Sequence, residues 1–407
     1  MQRSRVRAAR PQVVDGGGGL IGWGVYNPHS MYRVRLLATD EPSLLDHRDV
    51  SNLLHHRLQE AADLRRACGL PSDGTTAYRL VNSEGDRLSG LTVDVFGTTA
   101  VAVTSALWLE QRQDEVVAAL GALPMVDEVV WRRSDGRLQQ DGWEPPPKRL
   151  RDQDAPPEPQ APRPEPIQVK ENGLIYLVSP ALGQKSGFYC DQRDNRRLLA
   201  EACTGKRVLD LFCYSGGFAL AAAKAGAASC VAVDSSSFAL ELARRNAAIN
   251  DLDDQIEFVQ ADVHKYLKGL NPALRDSSQS DGPGPRQQPS GEGPAPVVET
   301  GAYDVVICDP PKLAPSFKDL PRATRKYKQL NANAMRAITP RGGLLLSCTC
   351  SAAMTQSGSF LSVLHEAAQQ CGRAITVLRV AGAAPCHVIN PGAPESEYLT
   401  AVLLHVR

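Results

Sequence analysis

The chain has 407 residues, with 45 Lys+Arg balanced by 45 Asp+Glu, 43% hydrophobic and 22% charged. That length exceeds one ordinary core and calls for two or three domains of a globular protein. Charge balance argues against a chain that coats itself in nucleic acid, while leaving room for a local patch that grips RNA. No apolar stretch reaches the ~18 residues of a membrane span.

Residues 1–10 carry four arginines and no acid. That composition suits an organelle transit segment and leaves the compartment open between cytoplasm, plastid and mitochondrion; the lack of an apolar h-region argues against secretion. Residues 20–26 and 32–37 read as strands around an Asn27–Pro28 turn. Residues 41–72 read as a helix, with Leu44, Leu45, Val50, Leu53, Leu54 and Leu58 at helical spacings. Strands are expected through 77–103, with turns at 83–85 and 89–90, then a helix at 109–123 and strands at 126–132 and 174–178. Two stretches, 145–166 (Pro and charge) and 275–299 (Pro, Gly, Ser, Gln), have too little apolar content to order themselves and are expected to be disordered insertions.

From residue 207 the alternation is regular. Strands are expected at 208–212, 230–234, 256–262, 303–308, 343–348, 375–380 and 398–406. Helices are expected at 218–226, 238–250, 264–270, 327–338 and 358–371. Apolar strands alternating with helices imply an α/β domain with a parallel sheet wound on both sides. The last two strands have no helix between them and should form an antiparallel pair at the sheet edge.

The first turn of this domain, 208–218 (VLDLFCYSGGF), is a strand, a glycine turn and a helix start. Ligands of open α/β sheets bind beyond the carboxyl ends of the strands. Gly216 and Gly217 allow close backbone approach, with Phe212 and Ser215 beside them. The G-x-G-x-x-G spacing of a dinucleotide site is absent. Asp210 can receive the ammonium of a methionine moiety. Asp234, followed by Ser235, ends the next strand and can accept both ribose hydroxyls. Asp262 can accept an adenine amino group, with Val263 as an apolar edge. Three acids at three successive strand ends point to S-adenosylmethionine; the plainer reading is that Asp210 and Asp234 merely cap helices.

Asp309-Pro310-Pro311-Lys312 ends the fourth strand, where two prolines fix a loop against a planar base. Lys312 stands where amino-methylating enzymes usually carry a stacking aromatic, which argues against simple amino methylation. Cys350 ends the fifth strand. A thiolate there can add to carbon 6 of cytosine and make carbon 5 nucleophilic; Asp309 can assist at nitrogen 3. Cys350, Asp309 and Lys312 are therefore the candidate catalytic residues, and Asp309 also counts among the cofactor contacts. Cys308 and Cys348 read as buried fillers. The ten cysteines form no C-x-x-C pair, consistent with free thiols, a reducing compartment and no metal site. Segment 183–196 (GQKSGFYCDQRDNR) precedes the domain. It offers Gln184, Phe188 and Arg193 as further cofactor contacts, with Gln192, Asn195 and Arg196 on a helix start facing the cofactor carboxylate.

Taken together, 183–189 (GQKSGFY), 191–193 (DQR), the 208–218 loop, 309–312 (DPPK), 327–331 (YKQLN) and 349–351 (TCS) resemble the bacterial large-subunit rRNA cytosine-5 methyltransferase I family. Upstream, 26–30 (YNPHS), 33–37 (RVRLL), 79–86 (RLVNSEGD) and 90–94 (GLTVD) are also similar. The resemblance implies a class I, Rossmann-like SAM-dependent methyltransferase domain at 196–407, a central α+β domain at 41–195, and a partial PUA-like RNA-binding β region at 1–40. It implies S-adenosylmethionine as cofactor, 5-methylcytosine in large-subunit rRNA as product, and Cys350 as nucleophile. RNA is the expected partner, with a homodimer left open and no membrane. Methylation of guanine or another RNA base, or a catalytically silent ribosome-assembly factor on the same fold, are the alternatives.

Overall fold

The computed structural model describes residues 12–39, 50–145, 165–180, 187–270 and 301–407. Gln184, the arginines of residues 1–10, the 275–299 stretch and nearly all of 145–166 lie outside these. The chain divides into two compact units, Met1–Asp191 with Pro385–Ser396, and Gln192–Ala384 with Glu397–Arg407.

In the first unit, β1 (Gln12–Val14), β2 (Leu20–Tyr26) and β3 (Val34–Thr39) form an antiparallel sheet. Helix α1 (Val50–Ala67) buries Val50, Leu53, Leu54, Leu58 and Ala61 along one stripe, the spacing of an amphipathic helix. Strands β4 (Ala77–Asn82), β5 (Leu91–Phe96) and β6 (Thr99–Thr104) are antiparallel, and β7 (Glu128–Arg133) joins β6 in parallel. The single helix expected at 109–123 is instead two, α2 (Leu107–Glu110) and α3 (Gln113–Gly121). Leu107, Trp108 and Leu109 are all buried. Three consecutive apolar residues cannot share one helical face, so the chain turns at Arg112 and starts again. A short helix, α4 (Asp135–Gln140), follows. Strands β8 (Ile167–Glu171) and β9 (Leu174–Val178) make a hairpin whose turn residues, Asn172 and Gly173, both have positive φ. Asn-Gly is the favoured pair for such a turn, and it marks β8, which the periodicity alone does not.

The second unit opens with α5 (Arg193–Ala200) and then alternates: β10 (Arg207–Leu211), α6 (Gly217–Lys224), β11 (Ser229–Asp234), α7 (Ser237–Ile249), β12 (Ile256–Gln260), α8 (Val263–Gly269), β13 (Val305–Cys308), α9 (Leu320–Ala337), β14 (Gly343–Thr349), α10 (Ala352–Gln356), α11 (Phe360–Cys371), β15 (Ile375–Ala381) and β16 (Thr400–Val406). The sheet order is β12-β11-β10-β13-β14-β16-β15. Strands β10 to β14 are parallel, and β16 runs antiparallel between β14 and β15. The expected antiparallel pair is therefore at the sheet edge, with β15 outermost. Strand alternation puts Leu209 and Leu211 on the face that packs with Tyr327, Leu330 and Met335 of α9 and with Val363 and Leu364 of α11. By the same period of two, Asp210 falls on the opposite face. Chain order moves outward from β10 to β12 and then returns to β13. That reversal is a switch point, where a crevice opens at the carboxyl ends of the strands.

Candidate active site

Strand register assembles the candidate residues. Leu211 pairs with Val233 on one side and Cys308 on the other; Asp234 pairs with Gln260, and Cys308 with Ser347. Phe212, Asp234, Asp262, Asp309 and Cys350 thus end five adjacent strands on one rim. Parallel neighbours stand about 4.8 Å apart, so β11 and β14 are separated by roughly 14 Å.

Asp210 is 1% exposed, and its Oδ2 accepts the Ala219 amide of α6 at 3.0 Å. Its Oδ1 is buried with no hydrogen-bond partner among the described residues. Burial, opposed by the Ala219 bond and reinforced by nearby Asp309, pushes the carboxyl up to about 8. A buried acceptor left unmade is costly, so this oxygen fits a cationic ligand such as the ammonium of S-adenosylmethionine. Gly216 has φ +83°, a conformation that favours glycine, and a Cβ on Gly217 would stand 2.5 Å from Arg196 Nε. Ser215 is buried beside them, and its carbonyl accepts the Asn246 amide at 3.1 Å.

Asp234 is half-buried, and its two oxygens accept the amides of Tyr214 at 3.0 Å and Ser236 at 2.9 Å. Those bonds hold the carboxylate at the loop between β10 and α6, with lone pairs remaining for hydroxyl donors. Ser235 beside it is exposed. Asp262 is exposed and caps α8 by accepting Lys265 N at 2.9 Å, while Val263 is buried in the core. All three acids thus bond amides at or beside helix starts, and Asp210 alone has a buried oxygen to spare.

The fourth and fifth strand ends are tied together. Half-buried Asp309 receives the Gln192 side-chain amide on Oδ2 at 3.1 Å, and Gln192 Oε1 accepts Asn195 Nδ2 at 2.7 Å. Gln192 therefore braces the Asp-Pro-Pro loop, where the sequence suggested a cofactor carboxylate. The Cys350 thiol, half-buried, lies 3.8 Å from the Pro310 carbonyl. Ser351 Oγ accepts the Ala314 amide at 3.1 Å and meets the Tyr327 hydroxyl at 3.1 Å, and Thr349 Oγ1 donates to that hydroxyl at 2.8 Å. One turn on, Asn331 Oδ1 accepts Ser347 Oγ at 2.6 Å. Tyr327 and Asn331, four apart on the buried face of α9, fix the strand end that carries Cys350; their polar groups in an otherwise apolar helical stripe are the sequence signal for this role. Burial pushes the thiols of Cys308, Cys348 and Cys213 upward, which suits packing roles. Lys312 is exposed. Arg193 is buried and lies 3.4 Å from Asp194. Phe188 belongs to the first unit, where its ring packs on Tyr176 at 5.0 Å. Among the described residues no group of three His, Cys, Asp or Glu is placed to hold a metal, and no helix is long and apolar enough to cross a membrane.

This strand order, with one reversed strand, defines a class I SAM-dependent methyltransferase fold. A family model described as S-adenosylmethionine-dependent methyltransferase matches residues 147–274. A solved chain from Streptococcus mutans, assigned as a SAM-dependent methyltransferase, is 23% identical and superposes with a TM-score of 0.71 over 97% of this chain and 90% of its own. A second solved methyltransferase, complexed with SAH, gives 0.72 at 24% identity over the same shares. The ribosomal RNA large subunit methyltransferase I of Shewanella frigidimarina is 34% identical over 400 residues, 97% of this chain and 89% of the relative. That of Photobacterium profundum is 33% identical over 407 residues, 97% and 90%. The chain belongs to the ribosomal RNA large subunit methyltransferase I family.

Proposed function

We propose that this chain transfers a methyl group to carbon 5 of a cytosine in large-subunit rRNA, with Cys350 as the nucleophile. The observation that carries the reading is the 3.8 Å approach of the Cys350 thiol to the Pro310 carbonyl, beside Asp309. Family membership supports rRNA as substrate and S-adenosylmethionine as cofactor. Asp210, the Gly216–Gly217 turn, Asp234 and the Asp262–Val263 edge would hold that cofactor, which when bound supplies an electrophilic methyl group. Arg193, Phe212, Ser215 and Ser235 extend the proposed contacts.

On this reading the Cys350 thiolate adds to carbon 6 of the ring while Asp309 hydrogen-bonds or protonates nitrogen 3. Carbon 5 becomes enamine-like and takes the methyl group. Loss of the carbon 5 proton to base then expels the thiolate. Gln192 holds Asp309 in place, Tyr327 holds the loop of Cys350, and Lys312 offers a cation to the RNA.

The test is nucleoside mass spectrometry of large-subunit rRNA from cells lacking the protein and complemented with wild type or Cys350→Ala. Wild type should restore 5-methylcytosine and Cys350→Ala should not, while both bind S-adenosylhomocysteine. Retained 5-methylcytosine in the variant would sink the nucleophile, and restoration of a different methylated base would sink cytosine as the target.

A further inference from the structure

We infer that the segment from Phe317 to Lys326 is a docking surface for unpaired RNA flanking the target base; this rests on the RNA reading above. Six cations and one acid fall between Lys312 and Lys328, in a chain of zero net charge. The acid, Asp319, is engaged, accepting both the amide and the hydroxyl of Ser316 at 3.2 and 2.8 Å. Lys328 pairs with Glu366. Lys318, Arg322, Arg325 and Lys326 are exposed, and their side chains make no ion pair or hydrogen bond among the described residues.

Their placement is not explained by the helix. α9 buries Ala323, Tyr327, Leu330 and Asn331, so Arg322, Arg325 and Lys326, at i, i+3 and i+4, share the opposite face. Cations at a helix amino end also oppose the macrodipole. A set of unpartnered cations held where helix stability disfavours them suits a polyanion. Phe317 adds an aromatic ring, 59% exposed, at the start of the same stretch. An exposed aromatic beside a basic face is the pairing that holds single-stranded nucleic acid, phosphates on the cations and one base on the ring. The stretch begins three residues beyond Ala314, whose amide is bonded to Ser351. Three residues span at most about 11 Å, so a strand seated here is within a few nucleotides of Cys350.

The experiment is fluorescence anisotropy of the full chain with an unstructured, labelled RNA of about twenty nucleotides. Binding is followed from about 50 to 200 mM salt. The combined Arg322→Ala, Arg325→Ala, Lys326→Ala variant should lower the slope of log affinity against log salt by about 2, from roughly 0.7 per lost phosphate contact. Phe317→Ala should weaken binding about 5- to 100-fold with the slope unchanged. Both variants should bind S-adenosylhomocysteine like wild type, which shows that they fold. Unchanged affinity and slope in the triple variant would overturn the surface, as would polyglutamate competing as well as RNA. A silent Phe317→Ala with duplex bound as tightly as single strand would overturn the single-strand assignment. If wild type methylates no RNA base yet the triple variant loses salt slope, the methylation reading fails and the surface stands.

Discussion

If Asp210 receives the ligand ammonium as proposed, it couples cofactor binding to protons. In the unfolded chain its pKa is about 3.9; burial in the folded chain raises it to about 8. The folded state therefore holds the proton more tightly. The stability this group contributes is complete below about pH 4 and is lost as pH rises through 8. A ligand ammonium seated at its buried Oδ1 favours the ionised form, so binding at pH 7 should expel close to one proton. Affinity should fall about tenfold per pH unit below about 8. Calorimetric titration of S-adenosylhomocysteine in two buffers of different ionisation enthalpy measures this directly, and Asp210→Asn should release none. Zero release by wild type would remove Asp210 from the ligand site. Gly217→Ala tests the neighbouring turn. Its Cβ would meet Arg196 Nε at 2.5 Å, and Arg196 is buried, so overpacking should lower stability by about 1–3 kcal/mol and weaken S-adenosylhomocysteine binding. Thermal melting and calorimetry would show both. These residues were legible in the sequence because each sits at a fixed offset from a strand end. The bond of Gln192 to Asp309 was not, because it joins residues 117 positions apart through side chains alone.

Helix α9 turns packing into positioning. Its Tyr327 hydroxyl is shared by Thr349 and Ser351, the two residues flanking Cys350. Tyr327→Phe keeps the ring against Phe360 but takes one hydrogen bond from each partner in a buried site, at a cost of about 1–3 kcal/mol. Methyl transfer by this variant should lose kcat while KM for S-adenosylmethionine is kept. A rise in KM with kcat intact would place Tyr327 outside the positioning role. The strands of this unit were legible from apolar runs, and their parallel order from the intervening helices. The start of α9 was not: the sequence pattern begins at 327, whereas the helix begins at Leu320. Its first seven residues hold three cations and only Leu320 and Ala323 facing the core, too few for a period to show. The signals near the start are Pro321 in the first turn and the Ser316–Asp319 capping box on the 3-10 turn Phe317–Asp319 that leads into it, both local rather than periodic.

At the scale of the whole chain, neither compact unit is one continuous stretch. Residues Pro385–Ser396 belong with Met1–Asp191 although they lie between β15 and β16 in sequence. The physical reason is a set of buried polar groups whose hydrogen bonds this segment completes. Arg65, 1% exposed and ion-paired with Asp86, also donates to the Cys386 carbonyl at 2.7 Å. Asn82 Nδ2 donates to the Val388 carbonyl at 2.9 Å. A Cβ at Gly85 would stand 2.2 Å from that same carbonyl, so the backbone there is packed directly on the segment. No periodicity announces such an excursion, because much of its attachment runs through backbone carbonyls that any sequence carries. Removing it takes the Val388 carbonyl from Asn82 Nδ2, at about 1–3 kcal/mol for a buried group, and one of several acceptors from Arg65. A fragment of residues 1–191 should therefore unfold at lower urea than the same fragment with 385–396 fused through a flexible linker. Tryptophan fluorescence would follow the transition. Coincident midpoints would mean that the segment is a passenger and that the first unit is complete without it. A raised midpoint would mean that cutting the chain at 191 removes part of the first unit's own core.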